Sequence, residues 1–229
     1  MVNQLKDNSD LKIFINHFIE NLETEINFFK EHIKRDLEYI SPYDRFTKDN
    51  EDYIEKNMNK QEEFFRFAYE NYHSYFPYMV NNSLLITFDS YFDYTFLLLA
   101  ELISKKTSIN WKCEKSNGTY IYKCFKFFED NFKIQPTEKD WVIVKDYHKI
   151  RNLVVHHNSC LIEEISEANS IQNIDKMKEH KNYRLISGNE HIDFNEISGK
   201  FYITDNKFLI EYLESIDRFI RLILAKILI

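Results

Sequence analysis

Apolar residues recur at helical spacing from the start of the chain. Leu11, Phe14, Ile15, Phe18, Ile19, Leu22, Ile26, Phe29, Ile33 and Leu37 sit three or four apart and predict one long amphipathic helix over about 11–40. Ser9 and Asp10 suit its N-terminal cap, and Ser41-Pro42 predicts its end, because proline steers the preceding residue out of the helical region. A polar stretch from Tyr43 to Lys60 reads as a loop with a short helix, followed by a second helix over about 61–72. Pro77 opens a helix to about Lys105 whose centre is apolar almost all round, the pattern of a helix buried in a bundle. A polar connection over about 104–118 leads to a helix over about 120–132. Thr137, followed three residues later by Asp140, approximates a capping box for a helix over about 138–157. That helix would turn Trp141, Val144, Ile150 and Val154 to a core and end at Asn158-Ser159. A short polar helix is expected over about 166–179.

The period then changes. Ile192, Phe194 and Ile197 precede Ser198-Gly199, and Phe201 and Ile203 follow it, which predicts a β-hairpin. Asp205 or Asn206 caps a last helix to Ile229. The expected fold is mainly α: an up-and-down helical bundle with a small β-hairpin insert before the C-terminal helix, one domain over 1–229 with its core over about 76–229.

Composition narrows the chemistry. Glycine occurs only at 118, 188 and 199, too sparsely for a phosphate-cradling loop, a dinucleotide fingerprint or a nucleophile elbow. Cys113, Cys124 and Cys160 fit no zinc or redox spacing and read as reduced thiols of a cytoplasmic protein. The N-terminal MVNQLKDNSD lacks the apolar core of a signal peptide. No stretch has the ~18 uninterrupted apolar residues of a membrane span, the C-terminal run being broken by Arg221 and Lys226. The formal net charge is −7, yet the segment Ile103–Ile162 carries +5 and the remainder −12. A basic segment in an acidic chain can attract phosphates, and it can equally be a solvated lysine face.

Within that basic segment, Arg151, Asn152, His156 and His157 crowd the end of a predicted helix. Histidine exchanges protons near neutral pH, and arginine offers a planar fork of donors to a phosphate. Asn152 and His156 are four apart and share a face, whereas Arg151 and His156 point ~140° apart on a regular helix. Both reach one phosphorus only if the last turn distorts or if two copies meet about a two-fold axis. The bare spacing, an arginine followed after four to six residues by a histidine, is common, since Arg66 to His73 and Arg184 to His191 also satisfy it, so a helix-end histidine interacting with the dipole stands beside the catalytic reading.

The run Arg151-Asn152-Leu153-Val154-Val155-His156-His157-Asn158 resembles the R-N-x-x-x-H signature of the HEPN (higher eukaryotes and prokaryotes nucleotide-binding) superfamily. Many members carry Asn where His157 stands. Ser90-Tyr91-Phe92-Asp93 is similar to an upstream serine–acid motif of the defence-associated branches, with Asp93 for the usual Glu. The hairpin before a C-terminal helix is also similar, so the likeness spans about 78–229. The branch paired with a nucleotidyltransferase antitoxin carries a tyrosine where Asn158 stands, and that branch is not assigned. The resemblance implies a metal-independent endoribonuclease without cofactors. It would act on RNA as a toxin or abortive-infection antiphage effector, through a homodimer with a composite active site, with an antitoxin or defence-system protein as partner. By position, Arg151 and His156 would be catalytic, and Asn152, His157 and Asp93 supporting. The alternative is a non-catalytic member that binds RNA or serves as an assembly module for a defence system.

Overall fold

A computed structural model describes residues 8–49, 76–111, 120–161, 175, 178–196 and 198–228, with the backbone alone for 8, 36–49 and 76. The described chain is mainly helical: α1 (Asn8–Asp49), α2 (Phe76–Thr107), α3 (Tyr120–Phe132), α4 (Lys139–His157), the short α5 (Tyr183–Ser187), strands β1 (Ile192–Asn195) and β2 (Lys200–Ile203), and α6 (Asn206–Ile227). None of these helices is long and apolar enough to cross a membrane. Contacts group the chain into two compact units. One comprises Met1–Ile26, Ile86–Lys149 and Glu211–Ile229; the other comprises Asn27–Leu85 and Ile150–Ile210. Helices α1, α2, α4 and α6 each contribute residues to both.

The first unit is a helical bundle built on aromatic rings. Phe96 of α2 stacks on Phe128 of α3 at 5.2 Å and lies 5.8 Å from Phe219 of α6. Trp141 of α4 stacks face to face on Phe125 at 4.1 Å and on Phe219 at 5.2 Å. Offset stacking adds about 0.5–1.5 kcal/mol per pair beyond area burial, so these contacts fix register as well as fill space. Helix α2 is not buried all round as its composition suggests. Leu85, Phe88, Phe92, Phe96, Leu99 and Ile103 make an inward stripe, while Ser83, Thr87, Ser90 and Tyr94 are exposed on the other side. Small hydroxyl residues at helical spacing supplied that polar face without lowering the segment's mean hydropathy much.

The second unit contains the hairpin. β1 and β2 pair antiparallel, with Ile192 opposite Ile203 and Phe194 opposite Phe201. Gly199 has φ 66°, and its amide donates to the Asn195 carbonyl at 2.8 Å, closing the turn in a conformation glycine adopts without a Cβ penalty. Phe201 and Ile203 turn inward, and Asn81 Nδ2 of α2 donates to the Ile203 carbonyl at 2.9 Å. Tyr78 and Tyr202 stack at 4.7 Å beside that bond.

Differences from expectation fall at two helix ends and one core position. Helix α1 passes Pro42 and ends at Asp49, which removes the break at Ser41-Pro42 and the first part of the expected 43–60 loop. An internal proline removes one amide donor and tends to kink rather than abolish a helix that other turns support. Helix α4 starts at Lys139, and the first capping carbonyl is that of Glu138, which accepts from Val142 at 3.0 Å, not that of Thr137. On the same helix Leu153 is buried and Val154 only half-buried. The rest of the 43–60 loop, the helix over 61–72, most of the helix over 166–179, Ile197 and Cys113 lie outside the described residues.

Asp205 caps α6: its Oδ1 accepts from the Lys207 amide at 2.8 Å and its carbonyl from Phe208 at 3.1 Å. Asp205→Ala is expected to lower stability by about 1 kcal/mol, and urea unfolding monitored by circular dichroism measures it.

Candidate active site

Helix α4 carries all four residues of the sequence motif into the second unit. Arg151 and Asn152 are half-buried, and Arg151 Nη1 donates to Asn152 Oδ1 at 3.0 Å. His156 is exposed and His157 half-buried in the last turn. α4 remains helical through His157, so Arg151 and His156 project about 140° apart rather than meeting in a distorted turn.

The helix stops because Asn158 and Ser159 both take positive φ, 49° and 59°. The Ser159 amide then donates to the Leu153 carbonyl at 3.1 Å and the Cys160 amide to the His157 carbonyl at 2.9 Å. The chain next runs beside β2: Leu161 donates to the Gly199 carbonyl at 2.9 Å and Phe201 to the Ser159 carbonyl at 2.9 Å. Cys160 forms a bridge with Lys200 in this ladder. Asn82 Nδ2 of α2 reaches Ser159 Oγ at 3.3 Å. The end of α4 is thereby tied to the hairpin and to α2, and His156 and His157 sit on a backbone held from two sides.

His180 belongs to the same unit and was not singled out by sequence reasoning. Its Nδ1 accepts from the Asn182 amide at 3.2 Å. Burial, then the charges of Lys181 and His157, hold its pKa below the ordinary histidine value. His157 and His180 are therefore electrostatic neighbours. The unfolded chain takes up this proton first as pH falls, so the contribution to stability is present above the ordinary histidine range and declines as pH drops through it. His180→Gln is expected to flatten the loss of stability on the acid side of about pH 6.5, measured as Tm against pH. The Cys160 thiol is pushed up by burial, with Lys200 opposing, so it rests protonated and is a poor nucleophile.

Asp93 lies in the first unit, half-buried. The fully buried acid of α2 is Asp89, four residues earlier. Asp89 Oδ1 accepts from Tyr212 Oη at 2.6 Å, and His148 Nδ1 lies 3.1 and 3.0 Å from its two oxygens. Tyr147 stacks on Tyr212 at 4.7 Å, its hydroxyl 3.3 Å from Glu211 Oε2, and burial raises its pKa. The signal for this cluster was available: Asp89, His148 and Tyr212 occupy core-facing positions of α2, α4 and α6, and a charged residue on an apolar face needs partners. Asp89, Asp93 and His148 are the one group among the described residues whose donor atoms lie within 4.8 Å of one another and could hold a cation.

Comparison with protein-family models, with curated proteins and with solved structures gives no match for this chain.

Proposed function

We propose that the protein is a metal-independent endoribonuclease of HEPN type, acting as a toxin or antiphage abortive-infection effector. The observation that supports it best is the end of α4: Arg151 hydrogen-bonded to Asn152, with His156 exposed on a terminus pinned by β2. In this reading His156 removes the proton from a ribose 2′-hydroxyl, and the 2′-oxygen attacks the adjacent phosphorus. The bond to the 5′-oxygen breaks, and that oxygen receives a proton from a protonated imidazole. The products are a 2′,3′-cyclic phosphate and a 5′-hydroxyl. The nucleophile is internal to the RNA, so no activated water is required. Arg151 balances the charge that develops on the phosphorane oxygens, and Asn152 holds the guanidinium fork. His157, next to His156 in the last turn, offers a further hydrogen-bond donor to the scissile phosphate.

The divergence of Arg151 and His156 on a regular helix favours a homodimer in which two copies of α4 line one cleft. One imidazole then serves as base while the other serves as acid. Light scattering at micromolar concentration is expected to give a dimer.

The decisive test incubates the wild type, Arg151→Ala and His156→Ala with RNA in EDTA, after circular dichroism has confirmed the fold in that buffer. Scission by the wild type alone, with cyclic phosphate ends, supports the reading. Equal scission by all three, or dependence on added metal, overturns it. RNA binding without scission by the wild type would favour the non-catalytic alternative.

A further inference from the structure

We propose that Asp89, Asp93 and His148 form a binding site for one divalent transition-metal ion, Zn²⁺ or Mn²⁺, which braces the helical bundle of the first unit. This goes beyond the nuclease reading and does not depend on it.

Three observations carry the proposal. Asp89 and Asp93 are four apart on α2, and His148 approaches them from α4, so one ion would join two helices. Their donor atoms lie within 4.8 Å of one another, and the closest pair, Asp89 Oδ2 and His148 Nδ1, is separated by 3.0 Å. Ligands about 2.0–2.2 Å from a metal stand roughly 3–4 Å apart across a coordination sphere, so the group closes on an ion with small side-chain shifts. The second observation is the histidine itself. His148 is 2% exposed, and its Nε2 is buried with no hydrogen-bond partner. An orphaned polar atom inside a core costs about 1–3 kcal/mol and commonly marks an ion or water site. The third is Tyr212, whose hydroxyl holds Asp89 Oδ1 at 2.6 Å. Hydrogen bonds of this kind orient ligating carboxylates in metal centres.

The donor set selects the ion. An imidazole with two carboxylates suits borderline first-row ions, whereas calcium prefers six to eight oxygens. Loading gathers the two aspartate carboxylates and a neutral imidazole around the cation. The net local charge becomes zero, which suits a site whose Asp89 and His148 side chains are 0% and 2% exposed.

The test uses the full chain without an affinity tag, dialysed against EDTA and then against metal-free buffer. Zn²⁺ or Mn²⁺ is added alone, with elemental analysis for stoichiometry and a thermal scan for stability. One ion per chain and a Tm rise of about 5–10 °C at a hundredfold excess over Kd are expected. Asp93→Asn, a near-isosteric change at a half-buried position, is expected to retain the metal-free Tm within a few degrees and to lose both the ion and the rise. Absence of stoichiometric binding by either ion to the wild type overturns the proposal. So does an undiminished Tm rise in Asp93→Asn, which would place the ion elsewhere. Neither readout involves RNA, so failure here leaves the nuclease reading standing, and failure of that reading leaves this one.

Discussion

If the proposed nuclease reading holds, His156→Ala is expected to lower RNA cleavage by about 10²–10⁴-fold, the usual contribution of a positioned general acid–base group, and to leave the fold intact. The side chain is exposed at the end of α4, so its removal opens no cavity. The loss is expected in kcat, with KM little changed, since the imidazole acts on protons in flight more than on the resting substrate. Arg151 behaves differently. Arg151→Ala is expected to reduce cleavage as strongly and also to cost some stability, because the guanidinium is half-buried and bonded to Asn152 Oδ1. Arg151→Lys keeps the charge but loses the planar fork, so it restores little activity. Single-turnover cleavage of a short labelled RNA separates these outcomes. Arg151→Lys at wild-type rate would reduce the arginine to a source of positive potential.

Asp89→Ala is expected to lower stability by about 3–5 kcal/mol, the largest structural effect expected of any single polar residue among those described. The carboxylate is completely buried and serves two partners, His148 on α4 and Tyr212 on α6. Alanine leaves both polar groups inside the bundle with their main acceptor gone. Tyr212→Phe removes one hydroxyl and is expected to cost about 1–2 kcal/mol, because Asp89 keeps His148. The double variant Asp89→Ala/Tyr212→Phe should fall short of the summed losses, since the two residues share one bond. Chemical unfolding of the four proteins measures the coupling. Full additivity would mean that the 2.6 Å contact contributes nothing of its own.

Much of the helical pattern is readable from residue spacing. Helices α3 and α4 fall within a residue of the expected bounds, because each has a clear apolar face and a proline or polar connection nearby. The hairpin follows from alternating apolar residues around Ser198-Gly199, and the cap of α6 from Asp205. The C-terminal limit of α1 was not readable, since a local penalty at Pro42 says nothing about how much the remaining turns stabilise. The motif at Arg151–His156 was legible as residue types on a helix end. Its attachment to β2 was not, because Ser159 and Phe201 are brought together by two positive-φ residues that no composition rule selects. The acid of α2 shows the same limit from another side. Motif likeness pointed to Asp93, whereas burial depends on which helices face one another, and that selects Asp89.

The ladder that joins Ser159 and Leu161 to β2 also sets how this region breathes. The amides of Leu161 and Phe201 both bond across this ladder, so neither can be released to solvent without loosening the strand as well. In deuterium exchange they should decay as one group, with a common opening free energy, while the exposed loop amide of Lys181 exchanges early. His156 would then be repositioned whenever the hairpin peels, and a ligand that clamps the strand would quiet the helix terminus without touching it.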